Sequence, residues 1–571
     1  MRKILISMVV VILWVTSAFA APAVTVNEVY AKKGMVSSAH GLASKAGVEV
    51  MKKGGNAVDA AVATALALGV VEGNASSIGG SGFAIIRFAK TGEIIVLDYQ
   101  SSAHAAATPA MFEPAPGEKA KTLLGHRSVA VPGWLMGMTE LLDRYGNLTF
   151  AEVAAPAIRL AEEGFIVDAS QESIYLENYE KVAKYNKDLS AIPFYIDEMP
   201  MKAGSKLKQP ALAKTYRLIA KKGREVFYGG EIGEAIVKAV NANGPIFTVQ
   251  DLKDYKLFER KPVQSSYRGY KVYAVPPASS GGMPTVQLLN ILENFPIGEW
   301  GPNHPKTLHY VAEAIKFILL DRERFIGDPA FVKIPIEGIS SKEYAKLLAS
   351  KIQPYGVIST IPAEDPWLFQ EKASSTKAAL LSNEHVSTST LSVVDKEGNI
   401  VTSTNSLSYF FGSGVFVPEY GFFLNNTMDN FAKSAKSVNA PEPGKRTLST
   451  MSPMLIMDPQ GRPFMSLGSA GGVRIMSAIA QITMNVIDHG MEMDEAIEQA
   501  RIHNPTSGQK AGVLEIEPRM PKEVIEYLRL RGHGIEEGVY IGTAQGILFD
   551  HEKGMMNGGA DSRRLGVAVG F

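Results

Sequence analysis

Residues 385–404 read His-Val-Ser-Thr-Ser-Thr-Leu-Ser-Val-Val-Asp-Lys-Glu-Gly-Asn-Ile-Val-Thr-Ser-Thr. Two β-branched runs around Glu397-Gly398-Asn399 predict an antiparallel hairpin. Its first strand opens on four hydroxyl residues, Ser387 to Thr390. That run has two readings. One is the edge of a β-branched strand. The other is a threonine nucleophile that becomes a chain terminus when the bond before Thr388 is cut. The freed α-amine, with an ordinary pKa of about 7.7–8.0, then serves as base for the hydroxyl on the same residue. No histidine or aspartate need stand nearby. This matters because the chain has no G-x-S-x-G elbow, no H-E-x-x-H helix and no Walker A loop.

The rest of the chain sets bounds. Lys+Arg and Asp+Glu are both 58, so the formal charge is zero, which argues against a molecule-wide nucleic-acid surface and leaves room only for a local patch. Cysteine is absent, which removes disulfides, a lipoprotein anchor and thiol chemistry. Arg2 and Lys3, the apolar Ile4 to Val15 and Ala18-Phe19-Ala20 read as a secretory signal over residues 1–20. The apolar run is short for a bilayer span, so a periplasmic or secreted protein without a stable membrane anchor is expected. The ten histidines are scattered singly, so no metal and no cofactor is expected.

Periodicity predicts one long helix over Val48–Val71, then strands over Phe83–Phe88 and Glu93–Tyr99. Helices are predicted over Leu135–Tyr145, Phe150–Glu163, Gln209–Lys222, Thr285–Leu292, Thr307–Arg324 and Ile475–His489. Further strands are predicted over Lys271–Val275, from Leu391, and over Val415–Val417, Gly421–Leu424, Leu455–Met457, Phe464–Leu467 and Gly546–Phe549. Ile352 to Asn383, with Pro354, Pro362 and Pro366, reads as an exposed, mobile tail upstream of Thr388. The pattern indicates α+β layering and no further detail.

Several motifs then line up. Gly54-Gly55-Asn56-Ala57-Val58-Asp59-Ala60-Ala61, Ile78-Gly79-Gly80-Ser81-Gly82-Phe83, Val129-Ala130-Val131-Pro132-Gly133 and Tyr267-Arg268-Gly269-Tyr270 come first. Pro276-Pro277-Ala278-Ser279-Ser280-Gly281-Gly282, Leu424-Asn425-Asn426, Leu448-Ser449-Thr450-Met451-Ser452-Pro453 and Gly468-Ser469-Ala470-Gly471-Gly472 follow, and the chain ends on Gly559-Ala560-Asp561 to Phe571. Together these resemble the γ-glutamyltransferase (γ-glutamyltranspeptidase) family of N-terminal-nucleophile hydrolases over nearly everything after residue 34. The resemblance implies an αββα sandwich of stacked antiparallel sheets between helical layers. It implies a large piece, residues 21–387, and a small piece, residues 388–571, in one interlocked domain. The protein is then a heterodimer of its own two fragments.

The resemblance also implies a chemistry. Thr388 attacks the Ser387 carbonyl to cut the precursor, then attacks a substrate amide to form an acyl-enzyme that water or an amine takes over. Gly471 and Gly472 are the candidate oxyanion hole, since two glycines let backbone N–H groups approach closely. Ser406 stands where the family usually has a second threonine beside the nucleophile. Ser449 and Thr450 match its Ser-Ser pair for the substrate α-carboxylate. Four headgroup positions depart from the pattern: Gln100 for arginine, Asn430 for aspartate, Thr427 for Glu or Gln, and Ser408 for Asn. Ala432 to Arg446 matches the family's lid and is short, which favours hydrolysis over transfer. His385, three residues before Thr388, invites a general-base role but is expected to leave with the cut tail. The expected function is an exported, self-processing γ-glutamyl-amide hydrolase or acyltransferase acting on compounds such as glutathione. An acylase for a glutaryl-like amide, or an exported binding protein that keeps the fold, are the alternatives.

Overall fold

The computed structural model describes residues 28–114, 123–371, 387–505 and 512–571. The predicted signal segment and His385 lie outside the described residues.

Two seven-stranded sheets form the centre. In spatial order, the first has strands Val29–Ala31, Met555–Ala560, Thr543–Asp550, Pro463–Ala470, Met454–Met457, Tyr270–Ala274 and Val263–Tyr267. The second has Val567–Gly570, Met35–Ser38, Ser389–Val394, Ile400–Ser406, Ser81–Arg87, Ile94–Tyr99 and Phe258–Arg260. Every neighbouring pair in both sheets is antiparallel.

Strand alternation explains the layering. In Ser81–Arg87, Phe83 and Ile85 join a cluster between the sheets with Met35, Val394, Leu455 and Ile547. Ala84 and Ile86 point the other way, into a cluster with the helices Gly41–Lys52, Ala57–Val71, Trp134–Tyr145 and Phe150–Glu163. A strand covered on both faces carries apolar residues on both. The helices Gly282–Leu292, Pro305–Phe325 and Arg474–His489 cover the outer face of the first sheet. The order helix, sheet, sheet, helix is the expected αββα sandwich.

The predicted single helix over Val48–Val71 is two helices, Gly41–Lys52 and Ala57–Val71. Gly54, at φ +101°, lies in the break. Asn56 and Asp59, read as a polar stripe, form a capping box that starts the second helix. Asp59 is buried and also accepts the Asn147 and Leu148 backbone N–H groups. The second helix is buried along its whole length, which is why its sequence is apolar all round.

The predicted hairpin is present, with Val394 opposite Ile400 and Gly398 at φ +84°. Its Asp395 carboxylate accepts the N–H of Ala57 at 2.9 Å and so ties the turn to the helix start. The expected mobile tail is anchored in its described part. Lys316 Nζ donates to the Ile358 carbonyl at 3.0 Å, Ile358 N donates to Glu313 at 2.7 Å, and Trp367 is buried. Phe416–Val417 and Phe422–Phe423 form a separate two-stranded ribbon. No helix among the described residues is long and apolar enough to cross a membrane.

Candidate active site

The alternation of the Ser389–Val394 strand sorts the hydroxyl run. Thr390 and Ser392 turn between the sheets, where Thr390 Oγ1 donates to the Ser403 carbonyl at 3.0 Å. Leu391 and Val393 turn to the helices, and Ser389 gives its hydroxyl to the Glu72 carboxylate. Thr388 continues the inward set and emerges in a small cleft.

That cleft is lined by Ser81, Gln100, Thr388, Ser406, Ser408, Thr427, Asn430, Ser449, Thr450, Met451 and Gly472. Residues as far apart as Ser81 and Gly472 therefore meet around one hydroxyl, and none of the eleven residues carries a charged side chain. The cleft brings together Gln100, Thr388, Ser406, Ser408, Thr427, Asn430, Ser449, Thr450 and Gly472 of the expected site; Gly471, one residue before Gly472, and Ser387 are not part of the lining.

With the Ser387–Thr388 peptide bond intact, Thr388 Oγ1 donates to the Ser387 carbonyl and lies 3.2 Å from Ser406 Oγ. Ser406 Oγ donates to the same Ser387 carbonyl at 2.6 Å and accepts the Ser408 N–H at 2.8 Å. Ser406 thus reaches both the hydroxyl and the carbonyl next to it. A donor on that carbonyl oxygen polarises it for attack.

Gly471 and Gly472 form the turn between the Pro463–Ala470 strand and the 16-residue helix Arg474–His489. Their φ values are +142° and +60°, and a Cβ on Gly471 would stand 2.8 Å from Gly542 Cα. Among the described residues neither amide N–H is given to another group. Two unspent donors ahead of a helix N-terminus suit a developing oxyanion.

Gln100 is fully buried and internally satisfied. Its Oε1 accepts from Ser81 Oγ at 3.0 Å and its Nε2 donates to Thr447 Oγ1 at 2.7 Å. Its carbonyl accepts from Tyr255 and Arg446. Asn430 is committed as well: Nδ2 donates to the Leu448 carbonyl at 2.8 Å and Oδ1 accepts from Ser408 Oγ at 3.2 Å. Thr427 Oγ1 donates to Asn425 Oδ1 at 2.7 Å. The preceding Asp98 spends its charge on Arg260 at 2.7 Å, away from the lining.

Ser449 is braced from the loop that carries the Pro276–Gly282 motif. Its carbonyl accepts from Ser280 N and Ser280 Oγ, and Arg322 Nε donates to Ser280 Oγ at 2.8 Å. Ser81 and Met451 belong to the cleft and were not foreseen. Their signal was present: Ser81 closes the glycine-rich turn and pairs with Ser406, and Met451 follows Thr450. No residue of 432–446, the expected lid, lines the cleft. That stretch is tied down by Lys433 on Asp429 and Arg446 N on Asp328. No cluster of three metal-ligating side chains occurs among the described residues.

The family model for gamma-glutamyltranspeptidase matches residues 43–571. A glutathione hydrolase proenzyme of Bacillus subtilis (strain 168) is 35% identical over 547 residues, spanning 95% of this chain and 92% of its own length. An acylase ACY 1 proenzyme of Pseudomonas sp. (strain SE83) is also 35% identical, over 94% of this chain and 93% of its own. Among solved structures, cephalosporin acylase from Bacillus halodurans has a TM-score of 0.83 at 29% identity and covers 98% of this chain and 99% of that one.

Proposed function

The chain belongs to the gamma-glutamyltranspeptidase family of N-terminal-nucleophile enzymes, and we propose that it is an exported, self-cleaving threonine amidohydrolase in which Thr388 is the nucleophile. The observation that carries this is the Thr388 hydroxyl at the base of a cleft, bonded to the carbonyl before it and to Ser406. Thr388 Oγ attacks the Ser387 carbonyl carbon, the peptide nitrogen leaves as the new α-amine, and water hydrolyses the resulting ester. The same hydroxyl then attacks a substrate amide, with the α-amine taking its proton and passing it to the amine that leaves, and water or an amine acceptor releases the acyl group. The Gly471 and Gly472 amides receive the oxyanion in both stages. Loss of one such donor typically costs about 2.7–4 kcal/mol. Export rests on residues 1–20.

Among amides of this type, the cleft favours an acyl group without the glutamyl zwitterion. No lining side chain is charged, and Gln100 and Asn430 are already hydrogen-bonded within the protein. A hydrogen bond to a charged group is worth about 1.5–3 kcal/mol. Two lost at once lower affinity for a zwitterionic headgroup by about 10²–10⁴. This reading sides with the acylases over the glutathione hydrolases. The test is kcat/KM for γ-glutamyl and glutaryl anilides on matured protein. A higher value for the glutaryl compound is expected; a strong γ-glutamyl preference would overturn the reading.

A further inference from the structure

Thr388 is held from behind as well as from the cleft. Arg564 Nη1 donates to the Thr388 carbonyl at 2.9 Å. Glu72, which takes the Ser389 hydroxyl, follows the last turn of the buried helix Ala57–Val71. Neither residue lines the cleft, and neither takes part in the bond-making steps above.

The two groups oppose each other's burial. Burial raises the Glu72 pKa, and Arg564 and the Ser389 hydroxyl pull it back. Burial lowers the Arg564 pKa, and Glu72 and then Asp561 pull it back. The other charged neighbours are accounted for. Asp561 is held by Arg501 at 2.7 Å and Arg563 at 3.0 Å. Asp168 acts on Glu72 less than Arg564 does, and caps the helix Ala169–Glu177. Tyr175 and His40 stay neutral, His40 because burial brings it down to about 4. Arg564 also lies over the Phe410 ring at 5.0 Å.

We propose that Arg564, backed by Glu72, is the positioning residue of the nucleophile: it holds the Thr388 carbonyl during self-cleavage, and its charge then keeps the freed α-amine unprotonated. This rests on the reading of Thr388 as a terminal nucleophile. A cation beside an amine disfavours a second positive charge, so Arg564 lowers the working pKa of that amine. An ordinary α-amine, at about 7.7–8.0, is mostly protonated at neutral pH and a poor base there. Glu72 offsets part of the effect.

The experiment measures the acid limb of kcat/KM against pH on matured wild type, Arg564→Lys, Arg564→Gln and Glu72→Gln. Glutamine keeps an N–H for the Thr388 carbonyl and loses the charge. The limb is expected to move up by about one pH unit in Arg564→Gln, to stay in place in Arg564→Lys, and to move down in Glu72→Gln. A limb unmoved in Arg564→Gln, displaced equally in both Arg564 variants, or unmoved or raised in Glu72→Gln overturns the proposal. Both Arg564 variants keep an N–H donor for the Thr388 carbonyl and are expected to self-cleave; a folded but uncut precursor of either overturns the proposal. Folding is judged against the thermal transition of the Thr388→Ala precursor. The Glu72→Gln arm decides the sign independently of whether either Arg564 variant folds. A wild-type small fragment that does not start at Thr388, or a wild type without an acid limb, would instead sink the nucleophile reading itself.

Discussion

At the scale of single residues, Thr388 does what serine or threonine at a strand start ordinarily does not: it shares one carbonyl with Ser406. Thr388→Ala is expected to remain one chain and to release no product from any anilide, since the same oxygen serves both stages. Denaturing gels and N-terminal sequencing check this; a small fragment beginning elsewhere rules out the assignment. Gln100 and Asn430 invite a second test. Arginine at 100 loses the acceptor for Ser81 and sets a cation beside Arg446, which already donates to the carbonyl of residue 100. An unpaired charge in a closed, neutral cleft carries its own desolvation cost. Gln100→Arg and Asn430→Asp are therefore each expected to lower activity. The double variant is expected to raise the γ-glutamyl to glutaryl ratio of kcat/KM by about tenfold or more, the equivalent of about 1.4 kcal/mol. A double variant with the wild-type ratio would show that these positions do not set the headgroup.

At the scale of elements, the capping of the helix Ala57–Val71 carries most of the local specification. Asp59 accepts three backbone N–H groups, from Asn56 at 2.8 Å, Asn147 at 3.0 Å and Leu148 at 3.0 Å. Asp59→Ala strands all three and is expected to cost about 3 kcal/mol or more. Asp59→Asn, which keeps one oxygen, should lose less; the denaturant midpoints of the two variants, compared with wild type, check the order. The motif was visible in the sequence, but its purpose was not. Gly54-Gly55-Asn56 reads as an interruption only if glycine is allowed to outweigh the apolar period on either side. The hairpin at 394–400 was legible because turn chemistry and alternation agree there. Met35–Ser38 and Met555–Ala560 were missed because they are short and rich in serine, glycine and methionine. Long-range pairing, not local propensity, makes them strands. In the cleft, the residue types were legible from motifs. The hydrogen bond of Gln100 to Thr447 and the contact of Arg564 with Thr388 were not, since their partners lie 347 and 176 positions away.

At the scale of the whole molecule, the proposed cut at 387/388 divides both sheets without separating them. In the second sheet, Met35–Ser38 lies between Val567–Gly570 and Ser389–Val394, so a strand of the large piece is paired on both sides by the small piece. Ile400–Ser406 of the small piece then pairs with Ser81–Arg87 of the large one. In the first sheet, four successive strands of the small piece stand between Val29–Ala31 and Tyr270–Ala274 of the large one. Pulling the pieces apart would break five strand pairings and open the core between the sheets, where Phe83, Ile85 and Val275 of one meet Val394, Leu455 and Ile547 of the other. Neither piece retains a complete sheet. The matured protein is therefore expected to elute as one species with both fragments present, to show one cooperative thermal transition, and to release them only under denaturing conditions. Size-exclusion chromatography, calorimetry and a denaturing gel of the same sample decide it. Separate elution of a folded large fragment in buffer would mean that the interleaved pairing does not hold the two pieces together.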